Sequence, residues 1–230
     1  MIVLVTGGTR GIGKSIAEKF HAKGHDVYVS GTKIPANHIG KFLKVDFSNK
    51  ESTDKFLNLI KHVNFDVVIN NAGVNDIKFI DQVEDGDYNK LMDVNIKSPY
   101  FISKVCSQNM VKNKRGWILN ISSIMSVTSR EKRSLYSTSK AALNGLTRSL
   151  SIELGGSGVL VNSLSPGFTL TDLTKQSLSD EEMESFSNNI PLKRMAEVSE
   201  MAEVAYFLCC KKNTYLTGQN IIVDGGVSIT

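Results

Sequence analysis

The chain has 230 residues, of which 41% are apolar and 22% charged, enough to bury the core of one large α/β domain spanning 1–230. Its net charge of +4 comes from Lys and Arg scattered without a basic run longer than two, so no nucleic-acid partner is expected, and no stretch of about eighteen apolar residues is present to suggest a membrane partner. Cys106, Cys209 and Cys210 form an odd set with two adjacent, which argues against a disulfide framework. His21, His25, His38 and His62 show no ligand spacing, so no metal site is expected. With a core strand starting at Ile2 and no leader pattern, a cytoplasmic location is expected.

Ile2-Val3-Leu4-Val5 is an apolar, mostly β-branched run that reads as a buried strand, while Ile12, Ile16, Ala17 and Phe20 recur at helical spacing directly after it. Between the two patterns stands Thr6-Gly7-Gly8-Thr9-Arg10-Gly11-Ile12-Gly13. A strand, a glycine turn and a helix without a spacer point bare backbone N–H groups and a helix N-terminus at one spot, where a phosphate is favourable. Gly7, Gly11 and Gly13 allow the tight turn, the close approach of a nucleotide and close packing of helix on strand. Their spacing, Gly-x3-Gly-x-Gly, departs from the commoner Gly-x-Gly-x-x-Gly, and by itself leaves a merely tight turn as the other reading.

Gly24 then ends the helix and Val27-Tyr28-Val29-Ser30 reads as a second strand. A third, 41–45, follows only nine residues after Gly31, whereas a helical crossover needs about a dozen, so the second crossover helix should be short or absent. A helix is expected over 48–63, with Ser48 as its cap and Glu51 three residues on. Strands at 67–69, 117–121, 159–164 and 220–223 alternate with helices at 87–112, 135–154 and 199–210. The polar stretch 169–198 suits a surface lid with one or two short helices. The alternation predicts a single doubly wound parallel sheet, which binds its ligand beyond the C-terminal ends of its strands.

Reactive side chains cluster at those ends. Ser122 and Ser123 close the fifth strand. Tyr136 and Lys140 lie thirteen and seventeen residues beyond Ser123, four apart and thus on one helix face. A tyrosine with an ordinary pKa of about 10 is a poor base unless a nearby cation stabilises its phenolate. Lowering it by about two to three pH units requires about 3–4 kcal/mol, which a desolvated ammonium one turn away can supply. Tyr136 would then exchange a proton with a carbonyl or carbinol oxygen that a serine hydroxyl also holds.

Thr6-Gly7-x3-Gly11-x-Gly13, Asn70-Asn71-Ala72-Gly73, Asn95, Ser123, Tyr136-x3-Lys140 and Pro166-Gly167 occur in one order along the whole chain. In this the sequence resembles the short-chain dehydrogenase/reductase family, with its Rossmann-like sheet, and is most similar to 3-oxoacyl-[acyl carrier protein] reductases. The resemblance implies a catalytic tetrad of Asn95, Ser123, Tyr136 and Lys140, with Ser122 as a spacer. It implies that Asn95 holds a water in a proton relay to Lys140, which also binds the nicotinamide ribose beside Tyr136. Cofactor contacts are implied at Gly7, Thr9, Arg10, Gly11, Ile12 and Gly13, at Asn71, Ala72 and Gly73 on the adenosine side, and at Pro166, Gly167 and Thr171 near the carboxamide. Asp46 is either an adenine contact or a residue that opens the next helix.

Charge predicts the cofactor. An NAD site usually ends its second strand with a carboxylate, which would repel a 2′-phosphate, and Ser30-Gly31-Thr32-Lys33 has none. Thr32 and Lys33, with Arg10, instead suit a phosphate, so NADP(H) is preferred over NAD(H). The substrate is expected to be a small molecule or an acyl thioester. Lys112, Lys114 and Arg115 match part of a basic patch that would meet an acidic carrier protein beside the site, although Ser157 stands where carrier-protein reductases commonly have a basic residue. Arg130, Lys132 and Arg133 could instead recognise an anionic sugar or another small ketone, and a non-catalytic nucleotide sensor on the same fold is a reading from another class. Apolar residues on more than one face of 135–154, and the apolar tail 219–230, predict a homotetramer or a dimer built on the helix pair.

Overall fold

The computed structural model describes residues 1–171, 174 and 179–230. The apolar runs become β1 (Ile2–Val5), β2 (Asp26–Gly31), β3 (Lys41–Lys44), β4 (Val67–Asn70), β5 (Gly116–Ile121), β6 (Val159–Pro166) and, with β7 (Thr169–Leu170) and β8 (Ala196–Glu197) between, β9 (Asn220–Val223). Seven of them pair in parallel in the order β3-β2-β1-β4-β5-β6-β9, and β7 pairs with β8 apart. The helices are α1 (Gly11–Ala22), α2 (Lys50–Ile60), α3 (Asp85–Met92), α4 (Ser98–Lys112), α5 (Ser134–Gly155), α6 (Asp180–Asn188) and α7 (Val198–Leu208). No described helix is long and apolar enough to cross a membrane.

Strand alternation divides the core in two. Val3, Val5, Val67 and Ile69 face the layer that α1 and α7 cover with Ile16, Phe20, Met201 and Ala205. Leu4 and Val68 point the other way, onto Phe56 and Ile60 of α2 and Ile102 and Met110 of α4. Central strands covered on both faces need no polar alternation, which is why they read as unbroken apolar runs. The chain leaves β1 toward β2 and β3, then returns across β1 to β4, so a crevice opens between the C-terminal ends of β1 and β4.

The crossover 32–40 carries no helix, as its length predicts. Three expectations are corrected. The helix expected over 87–112 starts at Asp85 and is interrupted by a π-turn at Asp93–Lys97. Pro99 is the physical cause: it has no N–H to offer the Asn95 carbonyl and its ring would crowd that group. The turn widens instead, and Ser98 donates both its N–H and its hydroxyl to the Asp93 carbonyl. At the second site of difference, Asn49 rather than Ser48 caps α2, accepting from the Ser52 N–H at 2.9 Å, while Ser48 donates to the Asp46 carboxylate. In the expected lid α6 is one short helix, and 172–173 and 175–178 lie outside the described residues. The third correction concerns Lys112, Lys114 and Arg115. Because α4 runs back against the strands, they sit before β5, at the end opposite the crevice, where Arg115 pairs with Asp66 at 2.7 Å.

A buried polar chain crosses the sheet. The Asn70 amide donates to Asn120 Oδ1 at 2.8 Å and to Ser103 at 3.1 Å, the Asn120 amide donates to Thr147 of α5 at 2.9 Å, and Thr147 shares a 2.6 Å bond with Ser163. Strand register sets Asn70 beside Asn120 and Asn120 beside Ser163. Replacing Asn120 by Leu removes one of the two acceptors of the buried Asn70 amide and the donor to Thr147, leaving Asn70 with Ser103 and Thr147 with Leu143 and Ser163. We expect Asn120→Leu to lower unfolding stability by about 2–4 kcal/mol in urea denaturation, with native helix content retained below the transition.

Candidate active site

The β1–α1 loop is held from below by the end of β4. The Thr6 hydroxyl accepts from the backbone N–H groups of Asn71 and Ala72, each at 3.0 Å, and the Asn71 amide donates back to the carbonyls of Thr6 and Gly7 at 2.9 and 3.1 Å. Gly7 has φ +63°, and a Cβ there would lie 2.9 Å from Ala72 Cα. One at Gly13 would lie 2.2 Å from the Asn71 amide nitrogen. These glycines are therefore required by the loop's own packing. Gly11, at φ +54°, is different: a Cβ would meet only the Thr171 side chain, at 3.5 Å, so its outer side faces open space.

Arg10 caps α1 with extended backbone and no side-chain bond, and the first turn carries no acidic residue. The helix N-terminus thus presents its N–H groups and its dipole to the crevice, a fit for a pyrophosphate. Ile12 turns its side chain into the core beneath. Thr9 covers Gly31 at the end of β2, and beyond it Thr32, Lys33 and, across the loop, Arg10 are exposed, with no carboxylate at the strand end. The Asp46 carboxylate is engaged by the Ser48 N–H and hydroxyl, which hold it below the usual carboxylate range, so it opens α2 while remaining exposed. On the far side, β6 ends at Pro166, Gly167 abuts Asp224 so closely that a Cβ would lie 2.6 Å from its Cα, and Thr171 reaches Gly11.

Asn95, Ser123, Tyr136 and Lys140 converge at the mouth of this crevice. The π-turn aims Asn95 inward, where it is buried: its amide donates to the Val74 carbonyl at 2.9 Å and to Ser139 at 3.1 Å, and its oxygen accepts from the Val74 N–H at 2.9 Å. Ser139 in turn donates to the Tyr136 carbonyl at 2.7 Å. Asn95 therefore braces the loop after β4 against α5. Asn95 Oδ1 and Lys140 Nζ both flank Gly73, at 3.5 and 3.6 Å from the position of a Cβ there. Ser122 clamps β5 to α5 through the Lys140 carbonyl at 3.0 Å, as a spacer should.

The Lys140 ammonium is buried and donates to the Ile121 carbonyl at 2.8 Å, with Nζ 5.6 Å from the centre of the Tyr136 ring. Burial without a carboxylate partner pushes Lys140 down to about 8. The expected lowering of Tyr136 is not found. Desolvation raises it above the usual tyrosine value, against the smaller opposing influences of the nearby Ser123 hydroxyl and the Arg133 charge.

The charged loop before Tyr136 resolves into separate roles. The Arg130 guanidinium stacks 4.7 Å from the Phe168 ring centre and 5.6 Å from that of Phe186, tying the loop to α6. Lys132, at φ +61°, lies 4.6 Å above Phe79. Arg133 is half-buried at the start of α5, on the side of Tyr136. A cavity of about 610 Å³ between β7, α6 and α7, lined by Leu170, Met183 and Met195 among others, touches none of these groups.

Sequence reasoning missed Ser139, the π-turn and the anchoring role of Thr6. Pro99, four residues after Asn95 within a helical pattern, was the signal for the turn, whereas nothing in the sequence marks Ser139 as the link between Asn95 and Tyr136.

A family model described as enoyl-(acyl carrier protein) reductase matches residues 7–228. The 3-oxoacyl-[acyl-carrier-protein] reductase of Aquifex aeolicus (strain VF5) is 34% identical, over 98% of this chain and 96% of its own. A solved short chain dehydrogenase/reductase family protein superposes with a TM-score of 0.91 at 31% identity, covering 100% of this chain and 98% of that one. The structure of ElxO with NADP bound gives 0.90 at 27% identity, over 100% and 99%. The chain belongs to the short-chain dehydrogenase/reductase family and is an oxidoreductase.

Proposed function

We propose that the chain is a cytoplasmic, NADP(H)-dependent carbonyl reductase working as one catalytic unit over 1–230, with 3-oxoacyl thioesters as its substrate class. The observation that carries this reading is the Tyr136 hydroxyl beside Ser123 at the mouth of the crevice, with the buried Lys140 one turn behind it on α5. The thioester class is supported by the relative from Aquifex, and the cytoplasmic location by three free, buried cysteines that a reducing compartment keeps as thiols.

The dinucleotide, when bound, supplies a hydride at C4 of its nicotinamide. The loop Gly7 to Gly13 and the N-terminus of α1 would hold its pyrophosphate, Asn71, Ala72 and Gly73 the adenosine side, Lys140 the ribose, and Pro166, Gly167 and Thr171 the carboxamide side. Tyr136, raised by burial, keeps its proton at neutral pH and so suits a general acid that donates to a carbonyl oxygen, while Ser123 donates a second hydrogen bond to the same oxygen. Lys140, with a value near neutrality yet still mostly protonated, stabilises the phenolate as it forms. Asn95 positions both through Ser139 and the loop after β4.

Tyr136→Phe should lower turnover by about 10²–10⁴-fold with cofactor affinity within a few-fold of wild type, read by NADPH oxidation and fluorescence titration; undiminished turnover would sink the assignment. Lys33 and Arg10 flank the end of β2 without a competing carboxylate, so kcat/KM should favour NADPH over NADH. Lys33→Glu should cut the NADPH value about tenfold and spare NADH, and an equal effect on both cofactors refutes the phosphate reading.

Lys140 also gives a stability test. Its folded-state value lies below the ordinary 10.5, so its charge opposes folding below about pH 8, and the penalty is lifted as pH rises from about 8 to 10.5. The stability of wild type minus that of Lys140→Met should therefore climb by on the order of 3 kcal/mol across that window in urea denaturation. A flat difference would show that the ammonium is not desolvated.

We further propose a homotetramer. Ala141, Ala142 and Ile152 leave one face of α5 uncovered, with Ile152 82% exposed, Tyr100 and Phe101 do the same on α4, and Ile222 and Ile229 lie uncovered on and beyond the edge strand β9. Light scattering at micromolar concentration should give four chains, Ile152→Glu should halve that mass or more, and a wild-type monomer would refute the assembly.

A further inference from the structure

Aromatic rings, in place of counter-ions, hold the loop between Ser123 and Tyr136. The Arg130 guanidinium lies 4.7 Å from the ring centre of Phe168 and 5.6 Å from that of Phe186, and the two rings are 5.0 Å apart, tilted by 32°. Two residues on, the Lys132 ammonium lies 4.6 Å from the ring centre of Phe79. Among the described residues no carboxylate comes within ion-pair distance of either cation. The π-faces are the partners that the fold gives these two charges.

Those rings belong to chain segments that leave the C-terminal ends of different strands. Phe79 follows β4, Arg130 and Lys132 follow β5, and Phe168 comes directly after Gly167 in the segment that follows β6, whose Thr171 reaches Gly11. The loop thus spans the mouth of the crevice, pinned on one side by Lys132 and on the other by Arg130. Lys132 holds φ +61°, a left-handed backbone that a residue with a side chain keeps only where its surroundings enforce it. Phe186 is on α6, and α6 has little else to hold it. None of residues 181–188 is buried, and the inner side of the helix borders the cavity of about 610 Å³ through Met183. A helix with so few packed contacts has low local stability, so one stacked guanidinium is a large share of what keeps it in place.

We propose that Arg130 is a positioning residue that latches α6 to the loop between Ser123 and Tyr136, so that its stack on Phe168 and Phe186 sets how tightly the acyl thioester is held. This rests on the reading of Tyr136 above. With the latch closed, α6 and the loop form one wall beside the bound acyl group. With it open, α6 must be ordered each time a substrate binds, and the apparent affinity falls in proportion to the closed fraction. The proton-transfer groups are held independently of this contact: Lys140 is bonded to the Ile121 carbonyl, and Ser122 clamps the first turns of α5 to β5. Loss of the latch therefore acts on KM and spares kcat.

A double-mutant cycle tests the latch, with NADPH and the N-acetylcysteamine thioester of 3-oxobutanoate as substrates for wild type, Arg130→Met, Phe186→Leu and the double variant. Each single variant should raise KM by about threefold to tenfold with kcat within about twofold of wild type. The double variant should be no worse than the weaker single one, and Arg130→Lys, which keeps a cation over the rings, should recover part of the loss. An unchanged KM, a fall in kcat as large as the rise in KM, or effects that multiply in the double variant overturns the proposal. Limited proteolysis by a glutamate-specific protease reads the same contact without turnover, because Glu181, Glu182 and Glu184 lie on α6. In the presence of NADPH, Arg130→Met should be cut there several-fold faster than wild type, and an equal rate overturns the proposal. Faster cleavage in a chain that does not turn over the thioester supports the latch and counts against the carbonyl-reductase reading.

Discussion

The exchange of hydrogen bonds between Thr6 and Asn71 fixes the relation on which everything else depends. Pairing of β1 with β4 brings the two strand ends side by side, and the Thr6 hydroxyl then satisfies the first N–H groups beyond β4 while the Asn71 amide satisfies the first carbonyls beyond β1. A loop that must keep its N–H groups free for a phosphate cannot use them to hold itself in place. Here the Thr6 and Gly7 carbonyls, with the Gly7 and Gly8 N–H groups on Ser30, do the holding, and the first N–H groups of α1 remain available.

The same division between holding and acting recurs on α5. Asn120, Thr147 and Ser163 pin the middle of the helix to β5 and β6 from within, and Ser122 pins its first turns. Buried polar chains of this kind cost desolvation and give positional definition in return, although Asn70 Oδ1 has no partner. Asn95 completes the frame from the opposite side. Its burial is made affordable by the π-turn, which Pro99 forces and which turns an extra side chain inward where a regular helix would have placed it elsewhere.

Within that frame the electrostatics run against first expectation. A lysine one turn from a tyrosine suggests a preformed ion pair and a phenolate. The folded protein instead gives Lys140 to a backbone carbonyl and leaves Tyr136 protonated, so the site is built around neutral phenol, a weakened ammonium and a half-buried guanidinium. Such a site favours the negative charge that develops on the phenolate.

Much of this was legible in the sequence by itself. Apolar runs at 2–5, 67–69 and 117–119 determined the buried parallel strands, because a strand covered on both faces needs no polar alternation. Nine residues between Gly31 and Lys41 determined that no helix could fit, because chain length limits reach. The order of glycine loop, Asn95, Ser123, Tyr136 and Lys140 determined the family. The tertiary structure alone decided where the charges act. Lys112, Lys114 and Arg115 lie at the wrong end of the sheet because α4 runs antiparallel to the strands. Lys140 binds Ile121 because β5 ends beside α5, and Arg130 and Arg133 diverge because Phe168 and Phe186, far along the chain, meet only one of them. Spacing along one helix or strand follows from local geometry, whereas the partner of a charge depends on which distant segments the fold brings near, and no local pattern encodes that.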